Sequence, residues 1–480
     1  MLSLGQSLLR VSNPSILDAL RSLTWIQSAQ LFIGWFSWFC ESLDYIAFIL
    51  SVPNLSRAFG KSTHEITFIL TVSQTLRPIG ALIAGLTSDR FGRKWPMFII
   101  LIFAGATELA GGFVNTSESL LLLRCLYGIG LGGIWGLAQS TALENLPVEL
   151  RGLGGSLIVQ SYAMSYILGA VINMTLVQRL EAGWRLLFWF SGGMTLLGAV
   201  ARLVIPESAV FLAARAREQE AIISGQEKRS HREKARTYIQ MMNKELKAHW
   251  MLLIYVSLVV LGVEFISHGS LDLYPTYLQE TKELHPKEAD TGSIIGNCGY
   301  ILGGLLSGVI SQFIGRRIAM ILSVLFCAAF IPLWILPNSF GALSTGAFFV
   351  QMGVGGAKSV IPIFLSEISP PAFRATFLGL VLNVAATIGS SSASIEAAIG
   401  DKLTIKVDQG GAERVLPDYA TIQGIVVGAA AGLSILMLAF SPENHGAHFE
   451  RHRAAYEEGV AADSHRDVLS DEEKRARPGE

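Results

Sequence analysis

Charged residues are scarce in this sequence. Only 16% of its 480 residues are Asp, Glu, Lys or Arg, and 51% are hydrophobic. A soluble domain has about a quarter of its residues charged, so this composition excludes an ordinary soluble protein and indicates a membrane protein. The net charge of -1 gives no indication of a nucleic-acid partner.

Cysteine is also rare, and the motifs of nucleotide and metal sites are missing. The four cysteines, Cys40, Cys125, Cys298 and Cys327, fall inside apolar stretches and form no CxxC motif, so bulk packing is their expected role. The chain has no GxxxxGK[ST] loop, which makes an ATP-driven protein a poor hypothesis. We therefore predict no catalytic site, no metal site and no cofactor.

Apolar stretches long enough to cross a bilayer recur along the whole chain. A spanning helix needs about 20 mostly apolar residues. The sequence predicts twelve of them, at 28–53, 66–86, 95–115, 119–142, 153–177, 185–205, 249–278, 291–314, 317–336, 341–366, 375–399 and 418–440. Most of the 37 Lys and Arg residues lie in alternate connections, and this bias predicts that both termini are cytoplasmic.

The chain repeats itself at an interval of 223 residues. GLTSDRFGRK at 85–94 corresponds to GVISQFIGRR at 308–317, and Gly132, Glu144 and Arg151 correspond to Gly355, Glu367 and Arg374. We therefore predict an all-α membrane protein of two six-helix repeats with an alternating-access cavity between them.

The predicted domains follow from this repeat and from the hydrophilic stretches. The two six-helix halves are 28–205 and 249–440. The hydrophilic parts are a cytoplasmic N-terminus at 1–27, a linker at 206–248, and a charge-rich tail at 441–480 that is expected to be disordered.

Arg77 lies inside the second predicted span, about 18 Å along a helix from Asp89 at its cytoplasmic end. An arginine at mid-membrane costs about 2.5–3.5 kcal/mol, so it is expected to face a partner or a wet cavity. Its planar guanidinium can hold a carboxylate through two parallel hydrogen bonds, which predicts a substrate-binding role. The alternative is a structural ion pair with Glu41 or Asp44 of the first span.

His268 and Asp272 are four residues apart in the seventh predicted span, and Glu264 continues the row one turn earlier. An imidazole beside a carboxylate can titrate near neutral pH, so this row is a candidate site for a coupling proton. The alternative is a polar cluster that only packs the helix. With Trp250 at the inner interface, His268 would lie about 27 Å along the span, which favours a proton entry or an outer gate over the central site.

Further charged residues gather at the predicted cytoplasmic ends of the helices. We expect them to pair when this side is shut, with Glu144 against Arg151 and Glu367 against Arg374. Loop anchoring is the alternative role. The second repeat has Gln312 in place of Asp89, so this latch is asymmetric. The candidate gating residues are Asp89, Arg93, Glu144, Arg151, Glu367 and Arg374.

Two polar residues of the second half are also candidates for the cavity. Lys358 lies in the tenth span, about 14 Å from Glu367, and its repeat counterpart is Trp135. It is either a structural lysine paired with a carboxylate or a second positive group that favours a more highly charged or hydroxylated substrate. Asn383 lies in the eleventh span, where small residues first suggest helix packing.

Several of these motifs resemble a known family. GLTSDRFGRK, its echo GVISQFIGRR, PESAVFL after the sixth span and PEN after the twelfth look like the major facilitator superfamily, over nearly the whole chain. SHGSLDLYPT at 267–276 is similar to the seventh-span signature of fungal Jen-type lactate and pyruvate proton symporters, Asn-x-x-Ser-His-x-Ser-Gln-Asp-x-x-x-Thr. The matching residues are Ser267, His268, Ser270, Asp272 and Thr276, whereas Glu264 and Leu271 stand where that family has Asn and Gln.

This resemblance implies a proton-coupled symporter of small carboxylic acids such as lactate and pyruvate in the plasma membrane. Arg77 falls at the position of the family's substrate-binding arginine, Asn383 at that of a substrate-region glutamine, and Lys358 where an aromatic residue is expected. The candidate substrate-binding residues are Arg77, His268, Asp272, Asn383 and Lys358. The candidate proton-coupling residues are His268, Asp272, Glu264 and Asp44.

The substrate is expected to be an organic anion, the coupling ion a proton, and the working unit a monomer. The wider relatives of the Jen-type group include sialic acid symporters, so a sialate, a dicarboxylate, an aromatic acid or a sugar are alternative substrates. Facilitated diffusion without coupling is another possibility. In a different class, the chain would be a carboxylate sensor that signals through 206–248 and the tail without moving its ligand.

Overall fold

The computed structural model describes residues 16–61, 63–177, 179–207, 211–212, 215–216, 231–369, 374–400, 403–409, 412–441 and 443. The helices of the first half are α1 (Ile16–Arg21), α2 (Trp25–Phe59), α3 (Thr63–Phe91), α4 (Lys94–Gly111), α5 (Ser117–Leu131), α6 (Ile134–Asn145), α7 (Arg151–Ile172) and α8 (Arg185–Val204). A 3₁₀ turn at Val148–Leu150 precedes α7, and a π-helical turn at Asn173–Val177 follows it.

The second half has the same succession of long helices. They are α9 (His231–Leu271), α10 (Tyr274–Glu280), α11 (Pro286–Ile314), α12 (Arg316–Ile335), α13 (Phe340–Ile368), α14 (Arg374–Gly389), α15 (Ser391–Gly400) and α16 (Tyr419–Phe440). Between α15 and α16 the strands β1 (Thr404–Gln409) and β2 (Ala412–Pro417) form an antiparallel hairpin, in register from Thr404 opposite Pro417 to Gln409 opposite Ala412. This hairpin is an addition to the all-α prediction.

Eleven helical stretches among the described residues are long and apolar enough to cross a membrane. The predicted eleventh span is divided: α14 has 16 residues, and α15 follows it after a turn at Ser390. The predicted twelve-helix fold of two six-helix repeats is thus confirmed. The helix α9 begins at His231, inside the predicted linker. The predicted disordered tail, apart from residues 441 and 443, lies outside the described residues.

Local sequence signals set both ends of α2. A capping box opens the helix, because Thr24 Oγ1 accepts a hydrogen bond from the Gln27 amide at 3.3 Å and Gln27 Oε1 accepts one from the Thr24 amide at 2.9 Å. Gly60 closes it with φ of 62°, a left-handed conformation that glycine adopts without a Cβ clash. The apolar residues between these caps cross the bundle.

The two repeats use the same glycines for close packing. In the first repeat, Gly80 of α3 lies against the carbonyl of Ile129 at the end of α5, where a Cβ would collide with it. In the second repeat, Gly303 of α11 lies in the same way against the carbonyl of Met352 in α13. Both pairs are 223 residues apart, so the duplication extends to individual backbone contacts.

Two helix pairs make the most extensive contacts between the repeats. The helix α3 packs against α14, and α7 packs against α11. Gly85 lies against Thr376 in the first pair, and Gly152 lies against Gly308 in the second. These contacts leave a central space between the other faces of the two repeats.

Candidate functional site

A cavity in the middle of the bundle is lined by both repeats. It holds about 830 Å³ of empty space, part of it open to solvent. Its charged and amide side chains are Glu41, Gln74, Arg77, Glu264, His268, Asp272, Lys358 and Asn383. Its aromatic side chains are Trp38, Tyr45, Trp135, Tyr162 and Tyr300.

Arg77 reaches this cavity from α3. Its guanidinium forms an ion pair with Glu41 of α2, and Nη1 donates a hydrogen bond of 2.9 Å to Gln74 Oε1. The Nε atom has no hydrogen-bond partner among the described residues, and 15% of the side chain is exposed. Arg77 is therefore paired with Glu41 and also lines the cavity.

The row on α9 forms one connected cluster. His268 Nδ1 lies 2.9 Å from Asp272 Oδ2, and His268 Nε2 lies 3.6 Å from Glu264 Oε2. Lys358 of α13 completes it, because its Nζ lies 3.0 Å from the same Glu264 oxygen and 3.3 Å from Ser267 Oγ. Lys358 is therefore paired with a carboxylate, and the cluster lies in the same cavity as Arg77. It is not confined to an outer gate.

The charges around the cavity do not cancel when the histidine is neutral. Two cations, Arg77 and Lys358, face the three carboxylates of Glu41, Glu264 and Asp272, which leaves one negative charge. An anion that enters would increase this imbalance, whereas one proton on His268 would remove it. In the part of the chain that the structure describes, no three His, Cys, Asp or Glu side chains come together as a metal site.

Asn383 joins the repeats at the cavity wall. Its Nδ2 donates hydrogen bonds of 2.7 Å to the carbonyls of Gly132 and Gly379, so this amide holds α14 against the end of α5. One repeat earlier, Gln160 of α7 donates a 2.7 Å hydrogen bond to Ser359 Oγ of α13. The sequence prediction missed Gln160, although the 223-residue interval relates it to Asn383.

The aromatic lining of the cavity was also missed by sequence reasoning. Apolar and aromatic residues are frequent throughout the spans, so composition does not single out Tyr45, Tyr162 or Tyr300. The repeat interval carries a signal for three lining residues: Tyr300 is the counterpart of Arg77, Tyr45 of His268, and Glu41 of Glu264. All three line the cavity.

Asp44 is not among the residues that line this cavity. It is fully buried on another side of α2, where its Oδ2 accepts a hydrogen bond of 3.0 Å from Thr195 Oγ1 of α8. A second buried pair within the first repeat joins Arg124 Nη2 to Glu108 Oε1 at 3.0 Å. The structure therefore separates Asp44 from the His268 cluster with which it was grouped.

The predicted gating residues gather at the end of the bundle that the charge bias predicts to be cytoplasmic, but the pairing differs from the expected one. Glu144 lies 2.9 Å from Arg93 Nη2 and 3.6 Å from Arg374 Nη1, so it links the two repeats. Glu367 receives two hydrogen bonds from Arg316, at 3.0 and 3.1 Å.

Arg151 also departs from its expected pairing, because its Nε donates a hydrogen bond of 3.1 Å to the Leu146 carbonyl. In the expected pairs, each arginine is close in sequence to its glutamate. In the observed pairs, Arg93 and Arg316 are each 51 residues away from their glutamates. Arg93 and Arg316 are themselves repeat counterparts, so the real pairs obey the duplication.

Asp89 forms the tightest link between the repeats at this end. Its carboxylate accepts hydrogen bonds from the backbone amides of Ala375 and Thr376, at 3.3 and 3.1 Å, and from Thr376 Oγ1 at 2.8 Å. These groups lie at the first turn of α14, where a helix favours a negative charge. Arg93 Nη1 lies 2.8 Å from Oδ1 of the same carboxylate.

Comparisons with known proteins agree with this architecture. Residues 34–394 match the Major Facilitator Superfamily. The chain is 29% identical over 423 residues to the carboxylic acid transporter protein homolog of Saccharomyces cerevisiae, covering 87% of this chain and 68% of that one. It is 24% identical over 372 residues to the sialic acid transporter NanX of Escherichia coli, covering 76% of this chain and 85% of that one.

Among solved structures, the proton:xylose symporter XylE bound to 6-bromo-6-deoxy-D-glucose superimposes with a TM-score of 0.68. The match has 17% identity and covers 88% of this chain and 98% of that chain. Identity this low supports the shared fold alone. Because the family match covers most of the chain and the twelve helices have the same fold, the chain belongs to the Major Facilitator Superfamily, a family of membrane transporters.

Proposed function

We propose that this transporter is a proton-coupled symporter of small carboxylic acids, and that it acts in the plasma membrane. The observation that carries the proposal is the charge balance of the central cavity. Two cations and three carboxylates face one space beside His268, so an organic anion meets a site that is already negative when this histidine is neutral. Entry of the anion together with a proton leaves the charge of the site unchanged, whereas entry of the anion alone would make it more negative.

Arg77 is the proposed docking group for the carboxylate. A guanidinium can bind a carboxylate through two parallel hydrogen bonds, and Glu41 and Gln74 hold its orientation from two sides. The name of the yeast relative, a carboxylic acid transporter protein homolog, supports an acid as substrate. Asn383 and Lys358 line the same cavity and are proposed to contact the rest of the molecule.

His268 and Asp272 are the proposed proton carriers, with Glu264 as the link to Lys358. The imidazole lies between two carboxylates, which stabilise its charged form. When substrate and proton are both bound, the cavity carries the same charge as the empty cavity, and the two halves, 28–205 and 249–440, can rock around it. Asp44, which is buried away from the cavity, has a weaker basis for a coupling role.

The contacts of Asp89, Glu144, Arg93 and Arg374 are proposed to close the cytoplasmic side in this cycle. They join the two repeats at one end of the bundle, so they stabilise the conformation in which that end is closed. The pairs of Glu367 and Arg151 strengthen each repeat beside that latch. Their breakage would accompany opening of the cavity toward the cytoplasm.

Among acids, lactate and pyruvate are the first candidates, and Lys358 gives a specific reason to include dicarboxylates. Its ammonium adds a second positive group opposite Arg77, in a position where the first repeat has Trp135. A sialate is also an acid with many hydroxyls, and the similarity to NanX supports testing it.

The test is uptake of radiolabelled lactate, pyruvate, succinate and sialic acid into cells that lack their own permeases, at external pH of about 5 and about 7.5. We expect uptake of at least one acid, faster at the lower pH and abolished when a protonophore removes the gradient. Uptake that ignores the gradient would indicate facilitated diffusion. Binding without flux, together with a cellular response lost on deletion of 444–480, would indicate a sensor.

A further inference from the structure

The junction of α9, α15 and α16 contains a carboxyl group that the proposed transport cycle does not use. Glu396 of α15 is fully buried, and neither of its oxygens has a hydrogen-bond partner by geometry among the described residues. Gln423 of α16 is also fully buried, and both atoms of its amide lack such a partner. The two side chains face each other.

Glu396 lies directly against the helix that carries the proton cluster. A Cβ added at Gly269 would come within 2.7 Å of Glu396 Oε1, so the carboxyl packs on the backbone beside His268. Asp272 lies three residues after Gly269, and its carboxylate is near enough to interact electrostatically with Glu396. The junction therefore places a third carboxyl beside the His268–Asp272 pair.

Burial without a cation determines the charge of this group. An ionised carboxylate in an apolar interior is strongly unfavourable unless it is paired, and no ion pair to Glu396 exists in the described part of the chain. A neutral carboxylic acid has one donor and one free acceptor, and a primary amide has both as well. Glu396 with a proton thus complements Gln423, whereas the ionised form can only accept from it.

We propose that Glu396 is a third proton-binding site, which holds a proton against Gln423 and exchanges it with the Asp272 carboxylate. The inference rests on the proposed proton-coupled transport and deepens it, because it extends the row of Glu264, His268 and Asp272 beyond the cavity to a buried acid. In this exchange, the Glu396 O–H bond breaks and the proton passes to a carboxylate oxygen of Asp272. Glu396 is then an anion until it is reprotonated.

The position of the site explains why the exchange can be coupled to conformation. The same α14–α15 unit that carries Glu396 also carries Thr376, whose backbone amide and hydroxyl bind Asp89 at the other end of the bundle. Movement of this unit relative to α9 would change the separation of Glu396 from Asp272. Proton transfer and opening of the bundle would then be linked through one structural unit.

The test uses the purified full-length chain in liposomes, with Glu396→Gln as the variant and Glu181→Gln, an exposed carboxylate, as the matched control. With a pH difference of about one unit, a one-proton symporter can concentrate its substrate about tenfold. We expect wild type and Glu181→Gln to accumulate labelled lactate, and Glu396→Gln to fall to about onefold. Exchange of internal for external lactate, which needs no net proton movement, should stay within about twofold of wild type.

Infrared spectroscopy provides a second measurement, of the protonation state of Glu396, that does not depend on transport. At neutral pH the wild type should show the carbonyl band of a protonated carboxylic acid, and this band should lose intensity in Glu396→Gln but not in Glu181→Gln. If the wild type moves no lactate, the symport proposal fails for that acid while the infrared arm still decides whether Glu396 carries a proton. An unchanged band, wild-type accumulation by Glu396→Gln, or an equal loss of accumulation and exchange would each overturn the inference.

Discussion

Glu41 and Glu264 occupy the same position in the two repeats, yet their surroundings differ. Glu41 pairs with Arg77 of the neighbouring helix α3, whereas Glu264 pairs with Lys358 of α13 at 3.0 Å. Only Glu264 has a histidine beside it, His268 at 3.6 Å. The repeats thus share a buried acid paired with a cation and differ in the chemistry around it.

This difference suggests a division of labour between the repeats. The first repeat presents a guanidinium, which is permanently charged and suited to bind a carboxylate. The second presents an imidazole, a side chain that can gain and lose a proton, between two carboxylates. Anion binding and proton binding would therefore reside on opposite walls of one cavity, and each wall can be altered separately.

The largest effect is expected from Arg77→Lys. This substitution keeps a positive charge on the wall formed by the first repeat but removes the guanidinium that can make two parallel hydrogen bonds. Hydrogen bonds between charged groups contribute about 1.5–3 kcal/mol, so the apparent affinity for the acid should fall about tenfold to about a hundredfold. The concentration dependence of initial uptake measures this change. Lys358→Arg, which keeps a cation on the opposite wall, is the matched control and should change affinity less. Normal transport by Arg77→Lys would rule out bidentate docking.

His268→Ala should separate proton coupling from substrate movement. With a pH difference of about one unit we expect the roughly tenfold accumulation to be lost, because the neutral methyl group cannot carry the proton, while exchange continues. Accumulation and exchange of labelled lactate in liposomes measure the two properties. Tyr45→Phe is the control, since Tyr45 lines the cavity at the repeat counterpart of His268. Concentrative uptake by His268→Ala would place the proton elsewhere.

Lys358→Trp makes the two repeats alike at this position, since Trp135 is the counterpart. We expect competition by succinate to weaken about fivefold relative to lactate, because a partly exposed charge pair contributes about 1 kcal/mol. The same substitution combined with Glu264→Gln controls for the carboxylate left unpaired. An unchanged ranking of mono- and dicarboxylates in both variants would show that Lys358 does not determine substrate specificity.

Asp89→Asn tests the comparison at the cytoplasmic ends and should have the smallest effect. Asp89 binds two amides and a hydroxyl at the start of α14 in the other repeat. Its counterpart Gln312 reaches the other repeat through a single hydrogen bond among the described residues, donated to the Val148 carbonyl at 3.4 Å, and accepts one of 2.9 Å from Arg316 in its own repeat. Loss of the negative charge at a helix N-terminus costs about 0.3–1 kcal/mol, so the ratio of closed to open molecules should fall by up to about fivefold.

Distances between spin labels at Phe91 and Phe313, two exposed positions at this end, report that ratio in a chain whose own cysteines have been replaced. Gln312→Ala is the matched control and should shift the distances less. If both variants open the protein equally, Asp89 and Gln312 contribute equally to the stability of the closed conformation, which would contradict the asymmetry.

The fold follows from the sequence because a bilayer imposes simple rules. Each span needs about 20 apolar residues, and the repeat interval fixes how the spans are grouped. The eleventh span is divided at Ser390, in a stretch rich in small and hydroxylated residues, where hydropathy alone gives no signal for the break. The hairpin between α15 and α16 was missed, since its alternating pattern is short.

The site was harder to predict, because several arrangements satisfy the same sequence. Glu41 and Asp44 are three residues apart, and spacing alone does not decide which one faces the cavity and which one faces Thr195 of α8. The pairing of Glu144 with Arg93 depends on how α4 approaches α6, which sequence proximity does not reveal. Arg77, His268, Asp272 and Lys358 were identifiable because charge in a membrane span is costly and so marks a wet or paired position.

The most direct test of the account is to count protons when an acid binds to the purified protein. In weakly buffered solution near neutral pH, addition of lactate to the wild type should remove about one proton from the medium for each anion bound, since the cavity already carries one excess negative charge. His268→Ala should bind lactate without this uptake. Binding by the wild type with no change in proton concentration would contradict the claim that anion and proton enter the cavity together.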